Sequence, residues 1–338
     1  MSHQGDYGYA VARIRAMEHR FLDAQTVQRI LDAEDAASVM KVLGETSYAS
    51  AIAANAGEPN FDRVLEAELR ASYEEVMSFV PDKALVKIIL LQYDFHNVKV
   101  LLKSIFNVKS GGKKRWDLLS SMGAYPADDL ITSIEVEDYN MLPYGLSRTL
   151  PHCIAAWEQN GDVLEVERLL DRRMFAVMLE ESMALDIRGL IDWVRARIDG
   201  ENIRTLVRLK RFGYESVKAM PFLHEGGTID LNLLASIIAE PFESWNRALE
   251  FSDYGRVLSQ VEAGDDFSQL ILELEKVLDD YYLEKLLVYR YSSDAPENVP
   301  YFLWAKEMEI KNVRMILVSK GNKGDTESLR GLLRHVCN

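Results

Sequence analysis

The chain has 338 residues, enough for two or three domains at about 150 residues each and more than one compact core can hold. Apolar residues make up 48% and charged residues 27%, an ordinary globular mix that excludes a disordered or collagen-like polypeptide. With 39 basic against 53 acidic residues the net charge is −14, so the chain repels nucleic acid and anionic lipid, and neither is expected as a direct partner.

The N-terminus, Met1 to Tyr9, has neither the positive start nor the apolar core of a signal peptide. Ala10, Ile14, Met17 and Phe21 then set a stripe at helical spacing, and nearly every long segment that follows repeats that period. Gly and Pro fall largely between the stripes, at Gly57-Glu58-Pro59, Gly111-Gly112, Gly226-Gly227 and Ala295-Pro296, where they punctuate helices. Asn160-Gly161 reads as a helix stop, with helical patterns on both sides. The longest apolar stretches, such as Ala84 to Leu91, contain Lys87 and fall far short of the roughly 20 residues that cross a bilayer, so direct membrane insertion is not expected. Cys153 and Cys337 are too few for a disulfide framework and suit a reducing cytoplasm. The fold class is all-α.

An internal repeat near 100 residues organises the chain. Asp94, Asn97, Val98, Lys99, Leu101 and Leu102 recur in the same spacing as Asp199, Asn202, Ile203, Arg204, Leu206 and Val207, and again as Glu309, Asn312, Val313, Arg314, Ile316 and Leu317. The asparagines at 97, 202 and 312 are 105 and 110 residues apart. A weaker motif precedes each copy: Asp62 to Glu66, Glu167 to Asp171 and Glu275 to Asp279. Its leucines at 65, 170 and 278 precede the asparagines by 32, 32 and 34 residues. Two motifs in register define three helical units, 1 to 110, 111 to 217 and 218 to 338, expected to stand around a pseudo-threefold axis as a funnel.

Val98, Leu101, Leu102, Ile105 and Phe106 share one helix face, which should pack inward. The Asn either follows a helix start capped by the acid three residues earlier or lies inside a longer helix. Pro300 followed by the unbroken run Tyr301 to Ser319 favours the interior setting for Asn312. Asn is a poor helix former, so its expected role is structural, a hydrogen bond that fixes register with a neighbouring element. In the second copy Asp199-Gly200 is expected to interrupt the helix before Asn202. Lys99 and Lys103, Arg204 and Arg208, and Arg314 form a positive stripe in a negative protein. They either ring the axis or form solvated faces paired with carboxylates.

No phosphate-binding Gly-x-x-x-x-Gly-Lys-Ser/Thr occurs, and the histidines and cysteines lack metal-ligand spacing. Catalytic residues, cofactor and metal are therefore all expected to be none.

Three segments taken together, Tyr9 to Met17, Val42 to Tyr48 and Tyr93 to Lys99, resemble the C subunit of archaeal and bacterial V-type (A-type) ATP synthases, whose eukaryotic relative is the d subunit of the vacuolar proton pump. The likeness runs over essentially the whole chain. It implies a non-catalytic central-stalk component, peripheral at the cytoplasmic face of the membrane. Its implied partners are the central shaft, built from the D and F subunits, and the membrane rotor ring, and the isolated chain is expected to be a monomer. The shaft socket would then be sought at Lys99, Lys103, Arg204, Arg208 and Arg314. The competing class, a cytosolic helical-repeat adaptor, has usual periods of about 33 to 47 residues, far below this one.

Overall fold

The computed structural model describes residues 7–57, 60–262, 266–322 and 324–336; Glu58, Pro59, Cys337 and the first six residues of the N-terminal stretch lie outside them. Among the described residues every regular element is helical and no strand occurs. Six long helices carry the architecture: α1 (Phe61–Phe79), α2 (Lys83–Lys109), α3 (Val163–Leu185), α4 (Arg188–Arg211), α5 (Phe267–Leu287) and α6 (Asn298–Gly321).

Their starts follow from short polar side chains that satisfy the first free amides. Asn60 accepts from Asp62 N at 2.9 Å, Asp82 from Ala84 N at 3.0 Å, Asp162 from Leu164 N at 2.9 Å and Asp266 from Ser268 N at 2.8 Å. Each such cap is typically worth about 1 kcal/mol. Asn160 and Gly161 do end the helix Leu146–Asn160, with Gly161 left-handed at φ 63°.

The helices pair in sequence as α1/α2, α3/α4 and α5/α6, and the pairs then close on one another: α2 packs on α3, α4 on α5, and α6 returns to α1. The result is a cyclic arrangement whose inner helices, α2, α4 and α6, are surrounded on most sides. Their sequences match that setting. In α2, Ile88, Ile89, Phe95, Val98, Leu101 and Leu102 are all buried, covering more than one stripe. Each such side chain contributes roughly 1.5–3 kcal/mol when removed from water. Shorter helices fill the outside; Gly8–Glu18 packs on α6, where Arg15 Nη2 donates to Asn298 Oδ1 at 3.1 Å.

One expectation fails here. Asp199-Gly200 does not interrupt its helix, because α4 runs unbroken from Arg188 to Arg211. A Cβ on Gly200 would lie 1.8 Å from the Tyr282 hydroxyl oxygen, so the glycine is a notch that lets α5 approach α4. All three motif asparagines lie inside long helices, which also removes the reading of Asp94 as a helix cap.

Candidate functional site

Each motif Asn clamps one peptide group in the segment that follows its helix. Asn97 Nδ2 donates to Ser120 O at 2.9 Å while its Oδ1 accepts from Ser120 N at 2.8 Å. Asn202 does the same to His224, at 2.9 and 2.7 Å, and Asn312 to Arg334, at 2.9 and 2.8 Å. The expected hydrogen bond therefore exists, but it holds a returning loop backbone rather than a neighbouring helix. Asn alone among short side chains offers a donor and an acceptor in the spacing a peptide requires.

The acids three residues earlier extend two of the clamps. Asp94 accepts from Tyr125 N at 2.9 Å and Tyr144 hydroxyl at 3.2 Å, and Asp199 accepts from Thr228 N at 2.8 Å, Thr228 hydroxyl at 2.6 Å and Ile229 N at 3.2 Å. Burial pushes the Asp94 carboxyl up to about 6 and raises Asp199 as well. Burial also lowers His224 to about 4, so its ring is neutral at ordinary pH. Glu309 departs from the pattern. It accepts from Leu22 N at 2.6 Å, Tyr48 hydroxyl at 2.9 Å and the buried Lys306 ammonium at 2.8 Å, tying the N-terminal segment to α6.

The cations pair across the seams between helix hairpins, and their partners are the acids of the upstream motif. Lys99 on α2 meets Asp171 on α3 at 2.5 Å, and Lys103 meets Glu167 on the same helix. Arg204 on α4 meets Glu201 within α4 and lies 4.0 Å from Glu275 on α5, which Arg208 approaches at 3.4 Å. Arg314 on α6 meets Asp62 on α1 at 2.7 Å and so completes the circle. The positive stripe is therefore neutralised in place.

Lys99, Arg204 and Arg314 line one cavity of about 750 Å³ whose wall comes from all three inner helices, with Asp62, Asp171 and Met174 among the contributions of α1 and α3. Lys103 and Arg208, one turn further along, are not among its lining residues.

Two deeper layers of the wall went unread in the sequence. Five residues before each Asn stand Gln92, Arg197 and Glu307; one residue before stand His96, Glu201 and Lys311. Positions −5, −1 and +2 fall at i, i+4 and i+7, a single helix face, so all three layers look into the cavity. In the deepest layer Gln92 joins the other two: its carbonyl accepts from Arg197 Nη2 at 3.2 Å and its amide donates to Glu307 Oε1 at 2.8 Å. Tyr73 hydroxyl also donates to Glu307, at 2.5 Å, although burial still raises that carboxyl. The Arg197 guanidinium lies 4.8 and 5.0 Å from the ring centres of Trp193 and Trp304.

Among the described residues no three His, Cys, Asp or Glu side chains are placed to hold a metal, and no helix is long and apolar enough to cross a membrane. A ring of helix hairpins around a polar cavity with no assembled nucleophile and base is the geometry of a docking part. Comparison with known proteins makes the class specific: residues 10–332 match the ATP synthase (C/AC39) subunit family, and the chain belongs to it. It is similar to the C subunit of the V-type sodium ATPase of Enterococcus hirae, 24% identical over 331 residues that cover 96% of each chain. The C subunit of the A-type ATP synthase of Methanocaldococcus jannaschii is 25% identical over 347 residues, 97% of this chain and 86% of that one. That of Methanosarcina acetivorans is 26% identical over 336 residues, covering 93% and 89%.

Proposed function

We propose that the chain is a non-catalytic central-stalk component of a rotary ATPase, which receives in its axial cavity the foot of the shaft formed by the D and F subunits. Its other end docks on the membrane rotor ring, at the cytoplasmic face, so that torque passes through the chain. The single observation that carries this reading is the cavity of about 750 Å³ bounded by α2, α4 and α6. A polar wall suits a surface that must be soluble alone and form many individually weak contacts when occupied. The units 1 to 110, 111 to 217 and 218 to 338 are proposed as three copies of one helical module, supported by the matching peptide clamps. The segments after 110 and 217 fold back onto the helices before them, at Ser120 and His224, so each module interlocks with the start of the next.

The test is reconstitution. The full chain should co-elute with purified D–F shaft, and the pair should then bind detergent-solubilised rotor ring, without ATP hydrolysis by the chain itself. Failure to bind the shaft at low salt contradicts the proposal.

A further inference from the structure

The three inner helices turn the same face to the axis but do not present the same charges. At the two deeper layers α2 offers Gln92 and His96, α4 offers Arg197 and Glu201, and α6 offers Glu307 and Lys311. A pseudo-threefold cavity has three nearly equivalent settings for whatever enters it, a third of a turn apart. This charge pattern makes them unequal.

The polar atoms are also unequally used. Glu307 is satisfied by Tyr73 and Gln92, Lys311 by Asp279 at 2.5 Å, and Glu201 by Arg204. Among the described residues, Arg197 Nη1 and Arg204 Nε are buried side-chain donors with no hydrogen-bond partner. Both belong to α4 and both residues line the cavity. An unpaired buried donor is unfavourable, so the α4 wall lacks an acceptor that an occupant can supply.

We propose that the α4 wall reads a carboxylate on the shaft and thereby fixes one rotational setting of the shaft in the cavity, with Arg197 as the specificity-determining residue and Arg204 beside it. This rests on the reading that the cavity receives the shaft. In the setting turned toward α6, the same carboxylate meets Glu307 and is repelled; turned toward α2, it meets the uncharged Gln92 and His96. Attraction on one wall and repulsion on another is how a specific seating is separated from its near-equivalents. Burial lowers the Arg197 pKa below the ordinary guanidinium value, as for a cation lacking a close counter-ion, and an incoming carboxylate provides one.

The test uses the full chain and the purified D–F shaft. A spin label is attached at Val217→Cys, an exposed position away from the cavity lining, in a Cys337→Ser background; buried Cys153, its thiol pushed up to about 12, stays unlabelled. A second label sits on the shaft, and pulsed dipolar spectroscopy reads the distances between them. The wild type is expected to give one distance. Arg197→Gln should add further distances and weaken binding about tenfold, the loss of one hydrogen bond to a charged group. Glu307→Gln, which removes the repelling wall, should add a second distance. Should Arg197→Gln fail to fold by circular dichroism, Arg204→Gln on the same wall makes the same comparison. Several distances in the wild type overturn the proposal, as does a variant that keeps one distance at wild-type affinity. A wild-type chain that binds no shaft overturns the shaft reading itself, and this proposal with it.

Discussion

Replacing Asn202 with Ala isolates what the peptide clamp contributes. Asn202 is fully buried, and His224, whose peptide it holds, is 4% exposed. The substitution removes two hydrogen bonds of 2.9 and 2.7 Å and leaves the N–H and C=O of His224 with no water to replace them. Each bond contributes about 0.5–1.5 kcal/mol net, and an unpaired buried group costs about 1–3 kcal/mol, so the loss should fall near 2–4 kcal/mol. The copies should not respond equally. Asn97 is as buried, but Ser120 is half-exposed; Asn312 is half-buried itself and holds Arg334 near the chain's end, where water substitutes more readily. Asn312→Ala should therefore cost about 1 kcal/mol, and Asn97→Ala an intermediate amount. Urea-unfolding midpoints for the three variants give the ranking, and hydrogen exchange at the His224 amide reports local opening. Equal effects below about 0.5 kcal/mol, or a larger effect at Asn312 than at Asn202, would refute the reasoning.

Three more outcomes follow from the geometry. Gly200→Ala should destabilise the fold despite alanine's better helix propensity, because its Cβ meets the Tyr282 hydroxyl, and Tyr282→Phe should rescue it in part; thermal melts of the single and double variants decide this. Asp94, with its folded pKa raised to about 6 above the ordinary value of 3.8, contributes stability in its protonated form, present below about pH 4 and lost as pH rises through 6; relative to wild type, Asp94→Asn should therefore gain stability between pH 4 and pH 7 in urea titrations. Reversing Lys99, Arg204 and Arg314 to Glu sets each against a carboxylate it now meets, so the triple variant should melt earlier as well as bind shaft weakly. Adding Asp62→Arg should restore the Arg314→Glu seam, a half-exposed pair worth at most about 1 kcal/mol.

The helices, the repeat and the motif asparagines were legible because they depend on apolar period and on residue types that recur. The clamp partners were not. Ser120, His224 and Arg334 share no side-chain chemistry, since what the Asn holds is the backbone, which every residue supplies. The acids that neutralise the cations stood in the upstream motif, but a linear sequence does not say that Lys99 reaches the next copy's Asp171, or that Arg314 returns to Asp62 at the other end of the chain. Gly200 looked like a helix break because its reason for being there, the Tyr282 hydroxyl, lies 82 residues away in sequence. The axial layers were hidden for the opposite reason to the clamps. Gln92, Arg197 and Glu307 occupy one register with an amide, a cation and an anion, and a repeat search rewards similarity. The signal that would have found them is the i, i+4, i+7 spacing around each Asn.

The most direct test of the cavity as the shaft's seat is site-specific photo-crosslinking in the reconstituted complex. A photoreactive side chain replaces Leu118, which lines the cavity and is 49% exposed, or Val217, which is 86% exposed and outside it. Position 118 should crosslink to the shaft, through its D or its F component, and position 217 to neither; crosslinks from 217 but not 118 would contradict the central claim.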